Sequence, residues 1–164
     1  MPRVLIIAYG NPLRCDDGLA WRAADQLEGK FSGSVVELLP THQLTPELAA
    51  AVSRSDGVIF VDAASAEEGN AQPGEVHCAP IGLPEGKVRF SHQLSPSSVI
   101  ALARELYAAS PRAFSVTVTG QCFDHGESFS PVVAAALPVL VTRIETLVRE
   151  LLSAESFPRG SDKP

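Results

Sequence analysis

Two short apolar runs limit what this chain can fold into more than anything else in it: Arg3 to Ala8 (RVLIIA) and Gly57 to Val61 (GVIFV). Neither alternates with polar residues, and each stops abruptly, the first at Tyr9-Gly10-Asn11-Pro12 and the second at Asp62. A strand with one wet face alternates, whereas an unbroken run of this length reads as a strand covered on both faces, the central position of a parallel sheet. Such a sheet needs helices on either side. Leu19, Ala20, Ala23, Ala24 and Leu27 recur at helical spacing and predict a helix from Asp17 to Leu27, with Asp16 placed to cap its first turn. Ser34 to Leu39 then reads as a strand and Thr45 to Ser53 as a helix, which completes a β-α-β-α-β unit at residue 61. Further on, Glu75 to Ala79 predicts a short strand, Ser95 to Ala109 a helix and Ala113 to Thr119 the last strand. Ser130 to Leu152 predicts a long closing helix, interrupted by a kink at Pro138.

Strands separated by helices, with connections long enough for right-handed crossovers, define the expected class. It is a three-layer α/β/α sandwich around a mostly parallel, five-stranded twisted sheet, with the short fourth strand antiparallel at an edge. A chain of 164 residues has the size of one domain, and residues 1–152 are read as that domain. Ser153 to Pro164 (SAESFPRGSDKP) is polar, carries no periodicity and is read as a flexible tail.

Composition removes several function classes. The formal net charge is −6 and Lys and Arg form no dense run, so nucleic acid is not an expected partner. The N-terminal apolar run is too short for a signal-peptide core or a membrane span, so the expectation is a cytoplasmic protein with no membrane partner. The three cysteines, Cys15, Cys78 and Cys122, are odd in number and contain no CxxC pair, which suits reduced thiols. A monomer is the simplest expectation for a domain of this size.

In open α/β sheets, ligands collect beyond the carboxyl ends of the strands, where neighbouring connections leave in opposite directions. The loop after the first strand holds Gly10-Asn11-Pro12-Leu13-Arg14-Cys15-Asp16-Asp17-Gly18, and the loop after the third is expected to begin with Asp62-Ala63-Ala64-Ser65. In Ser91-His92-Gln93-Leu94-Ser95-Pro96, Ser95 can cap a helix and Pro96 can open it, which holds His92 just before a helix start. Asp17, Asp62 and His92 together would make a metal site of mixed oxygen and nitrogen donors with coordination positions left open. Each has a plainer reading. Asp16 suits capping better than chemistry, His92 alone would be an ordinary loop residue, and Asp62 needs a cation or a donor because it follows an apolar strand. A dinucleotide loop is excluded by the missing GxGxxG spacing, and a serine hydrolase lacks its GxSxG elbow.

The segments GNPLRCDDG (Gly10 to Gly18), VDAAS (Val61 to Ser65), SHQLSP (Ser91 to Pro96) and GESFSPVVAAALP (Gly126 to Pro138), in this order, resemble the nickel-iron hydrogenase maturation protease family. The resemblance implies an endopeptidase that removes a C-terminal extension from the hydrogenase large-subunit precursor after nickel insertion. It implies that Asp17, Asp62 and His92 contact the metal and carry the reaction. The nickel is expected to arrive with the substrate and not to be permanently bound. Asp16 is the candidate for orienting the first loop, with general acid or base as its alternative role. Asp17 stands where relatives often carry glutamate, and Ala20 where glycine is common. The rival readings are a non-catalytic assembly factor that binds the nickel-loaded subunit and a small-molecule metallohydrolase.

Overall fold

A computed structural model describes residues 3–66, 71–83 and 94–153. Its strands are β1 (Val4–Tyr9), β2 (Val36–Thr41), β3 (Gly57–Ser65), β4 (Val76–Pro80) and β5 (Arg112–Gly120). Its helices are α1 (Leu19–Leu27), α2 (Leu48–Ser53), α3 (Pro96–Tyr107) and α4 (Pro131–Ser153), and a single 3-10 turn at Cys15–Gly18 precedes α1. The strands form one sheet in the order β2-β1-β3-β5-β4. The first four in that order run parallel, and β4 pairs antiparallel with β5 at the edge, as the sequence pattern predicts.

Alternation along each central strand divides the core in two. Val4, Ile6 and Ala8 point to the face where Leu19, Ala23 and Leu27 of α1 meet Leu140, Ile144 and Val148 of α4. Leu5 and Ile7 point to the opposite face, beneath Leu48 and Val52 of α2 and Val99, Leu102 and Ala103 of α3. Burying both faces is why β1 and β3 could be recognised as unbroken apolar runs, and each such side chain contributes about 1.5–3 kcal/mol.

Three local features differ from the sequence expectations. The strand β3 runs on to Ser65, so Asp62 lies within a strand and not in the following loop; the register continues through Asp62↔Thr117 to Ser65↔Gly120 because β5 is equally long. Pairing with β1 stops at Ala8↔Val61, which leaves that side of β3 open from Asp62 onward. Secondly, α1 begins only at Leu19, with Asp17 in the 3-10 turn. Thirdly, α4 continues through Pro138 without interruption. Pro138 is exposed, and so is Ala134, whose carbonyl loses its helical partner and can bond water instead.

At 23 residues, α4 is long and apolar enough by length and composition to cross a membrane. One apolar face serves the core, since Val133, Leu137, Leu140, Ile144, Val148 and Leu151 recur at helical spacing and are all buried, while Val132 and Val139 are exposed. Ser153 closes this helix, and residues 154–164 of the expected tail lie outside the described residues.

Candidate functional site

The chain leaves β1 toward β2 on one side and reaches β3 on the other, so the carboxyl ends of β1 and β3 form the topological switch point. Gly10 makes the turn out of β1 at φ 145, and a β-carbon there would lie 2.1 Å from the Asp17 carbonyl oxygen. Only glycine permits both the backbone conformation and that approach. The Trp21 indole N–H donates to the carbonyls of Gly10 at 3.0 Å and Thr41 at 3.2 Å, pinning the turn to the end of β2. The Asn11 amide donates to Asp17 Oδ2 at 2.8 Å, and the Asp17 amide donates to the Arg14 carbonyl at 3.1 Å. Asp17 is therefore held by its own loop.

Asp16 overturns the capping expectation. The N-cap of α1 is Gly18, without a side-chain cap, and Asp16 points away from that helix. Its carboxylate is wholly buried and accepts from the amides of Gln121 and Cys122, both at 2.8 Å, from the Ser130 amide at 2.8 Å and from the Ser130 hydroxyl at 2.7 Å. Ser130 immediately precedes α4, so Asp16 supplies negative charge and acceptors at the start of a helix far along the chain. Burial alone would raise this carboxyl; donors from Cys122, Gln121 and Ser130 outweigh it and hold the group below its ordinary value.

Asp62 lies in the opposite electrostatic setting. Burial and the nearby Asp17 charge push its carboxyl up to about 7, against weaker lowering by the Ala63 amide and the Tyr9 hydroxyl, which both donate to it. The Tyr9 phenol is raised in turn, first by burial and then by the Asp62 charge and hydrogen bond. Tyr9 contacts a candidate site residue, and sequence reasoning did not single it out. Its signal lies in the register, for Ala8 stands opposite Val61 and the next residues along the two strands are Tyr9 and Asp62.

Asp17 and Asp62 line one open cavity of about 590 Å³ with Arg14, Ala63, Ala64, Ser65 and Phe123. Arg14 donates from Nε to the Phe123 carbonyl at 3.1 Å, so the β5–α4 connection also borders the cavity. His92 lies outside the described residues. Beyond it, Ser95 caps α3 by accepting from the Ser98 amide at 3.2 Å, and Pro96 opens that helix, as expected from SHQLSP. Among the described residues, no three or more His, Cys, Asp or Glu side chains are grouped to hold a metal ion. The two carboxylates thus offer part of a hard-donor set, which would need further ligands to complete it.

No protein-family model and no curated protein matches the chain in sequence. Solved structures do match in fold. The hydrogenase maturating endopeptidase HybD from E. coli superposes with a TM-score of 0.73 at 22% identity, over 90% of this chain and 93% of that one. The NiFe hydrogenase maturation protease HycI from Thermococcus kodakarensis KOD1 gives 0.71 at 19% identity, over 90% and 92%. The HybD protease from Thermococcus kodakarensis gives 0.68 at 24% identity, over 89% and 99%. Across nearly its whole length, the chain has the fold of the nickel-iron hydrogenase maturation proteases.

Proposed function

We propose that this chain is an endopeptidase of hydrogenase maturation, which removes the C-terminal extension of a nickel-iron hydrogenase large-subunit precursor and reads the nickel that the substrate carries. The observation that carries this reading is the pair Asp17 and Asp62, two acids facing one open cavity at the switch point, with Asp62 pushed up to about 7 by burial and by its neighbour. A cation held between Asp17 and Asp62 would relieve the repulsion and offset the desolvation, with loss of any proton on Asp62. The fold shared with maturation endopeptidases and the motif resemblance support a place in hydrogenase maturation.

In this reading His92 joins the two acids as third ligand, and thiolates of the precursor or water complete the coordination of its nickel. The chemistry such a metal would supply when bound is polarisation of the scissile carbonyl or activation of water. The chain's own residues supply position. Asn11 orients Asp17, Tyr9 and the β3–β5 ladder orient Asp62, and Asp16 fixes the first loop against α4. The same reading places the protein in the cytoplasm, as a monomer with no nucleic-acid or membrane partner.

The test mixes purified protein with nickel-loaded precursor and follows the precursor by mass. Release of the C-terminal peptide is expected, slowed by about 100-fold or more in Asp17→Ala and Asp62→Ala, since a displaced ion costs oriented catalysis that much. A stoichiometric complex with unchanged precursor mass would instead identify an assembly factor. Full processing by both variants would falsify the site assignment.

A further inference from the structure

The two ladders that flank β3 do not end together. The ladder with β5 runs to Ser65↔Gly120, whereas the ladder with β1 stops at Ala8↔Val61, so Asp62 to Ser65 have a partner strand on one side only. The break has a local cause. Gly10 turns the chain at φ 145 and its amide donates to the Thr41 carbonyl at 3.2 Å, so the chain stays with β2 and leaves β3. Backbone groups along a parallel strand turn to its two neighbours alternately. The Gly57 amide donates to the Arg3 carbonyl at 3.0 Å and the Asp56 carbonyl accepts from the Arg112 amide at 3.0 Å, which assigns odd positions of β3 to the β1 side and even positions to β5. Ala63 therefore turns its carbonyl to the side that β1 has vacated. Had the register continued, the Asn11 amide would have met that carbonyl; it donates instead to Asp17 Oδ2 at 2.8 Å. Among the described residues, no hydrogen bond from outside the strand ladders reaches the Ala63 carbonyl.

We propose that an extended segment of the polypeptide substrate adds to β3 on this vacated side, one of its backbone amides donating to the Ala63 carbonyl, and so runs past Asp62 and Asp17. The inference rests on the reading of the cavity as an endopeptidase site and states how that site holds its chain. The space is the open cavity of about 590 Å³, which Asp62, Ala63, Ala64 and Ser65 line. Small side chains at Ala63, Ala64 and Ser65 let a second backbone come to the inter-strand spacing of about 4.8 Å. An unpaired strand carbonyl is met at that spacing by a peptide amide, which is why the occupant is a polypeptide and why it is extended. From Asp62 to Ser65 the strand offers about 13 Å, enough for a few residues on either side of a bond to be cut. Arg14 stands in the same cavity, fixed by its Nε to the Phe123 carbonyl, and it makes no ion pair among the described residues. Its other guanidinium donors suit carbonyls of the added chain. Recognition through the main chain selects a segment that can be drawn out straight, with few demands on its side chains beyond the exclusion of proline at the donating position.

The test places proline in turn at each residue flanking the cut in the nickel-loaded large-subunit precursor. For each variant it measures the dissociation constant of the complex with the full chain and, separately, release of the C-terminal peptide. Proline lacks the amide donor but keeps the residue before it extended, so an added strand tolerates it wherever the amide faces away from β3. One position should weaken binding by about 10-fold or more, with the residues on either side of it weakening binding by less than about 3-fold. An ester in place of that one amide, introduced by chemical ligation of the C-terminal segment, should reproduce the loss, and it decides the matter where a proline variant of the precursor fails to fold. Losses spread evenly over the scan, or none at all, with cutting intact would overturn strand addition and leave the protease reading standing. A complex that is never cut yet shows the single sensitive position would support strand addition and overturn the protease reading. Absence of any complex with the precursor would overturn both.

Discussion

Asp16 and Asp62 are carboxylates withdrawn from water at the same end of one sheet, yet they respond in opposite directions. Asp16 exposes no surface to solvent, and its oxygens accept four hydrogen bonds from Gln121, Cys122 and Ser130. Asp62 is only partly buried, accepts from Ala63 and Tyr9, and faces Asp17. The first is held below the usual carboxylate range and the second is pushed up to about 7. Burial acts to raise both carboxyls. Donors and like charges decide, and the contrast separates a group whose acceptors are served by three residues of the β5–α4 connection from a group left beside a like charge.

The sharpest way to break the comparison is to remove the better-served acid. Asp16→Ala leaves the amides of Gln121, Cys122 and Ser130 without their acceptor and should cost about 3–5 kcal/mol, read as a lower urea midpoint with unchanged slope. The wild-type contribution has a definite pH window. Because the folded carboxyl is depressed, its stabilisation is complete above the unfolded value of about 3.9 and drains away as pH falls through the lower folded one. A loss below about 0.5 kcal/mol at pH 7 would show that the buried hydrogen bonds contribute no net stability.

Asp62→Asn should act with the opposite sign and a smaller size. A carboxyl raised in the folded state costs nothing below about pH 4, and its penalty grows as pH rises and is complete above about 7. The asparagine variant should therefore be more stable than wild type by about 1–3 kcal/mol at pH 8 and lose that advantage near pH 4. Denaturant melts at the two pH values check this, and an advantage independent of pH would remove ionisation as the cause. Tyr9→Phe is the mildest change. It deletes one donor to Asp62 and should cost about 0.5–1.5 kcal/mol at pH 8, with the Asp62 carboxyl resonance titrating at higher pH than in wild type. An unchanged titration would show that the hydroxyl does not hold this carboxylate.

How far the sequence reaches can be judged from the same residues. The runs RVLIIA and GVIFV announced β1 and β3 because burial on both faces leaves a local mark, and SHQLSP announced the start of α3 because capping is local too. Asp16 was misread as a cap for α1 because an acid before a helix carries the same local signal whichever helix it serves. Asp62 was placed in a loop because the strand's extension depends on β5, whose length matters only once the two strands are paired.

The order of strands and helices, the two apolar faces of the sheet and the acids near its carboxyl edge were thus written in the chain itself, since each follows from residues within a few positions of one another. Which acid would be satisfied and which left strained was decided only by tertiary structure. Ser130 reaches Asp16 and Tyr9 reaches Asp62 through strand register and the crossing of loops. Hydrogen bonds and charge pairs formed between distant segments leave no periodic trace, so their partners become visible only when the sheet is assembled.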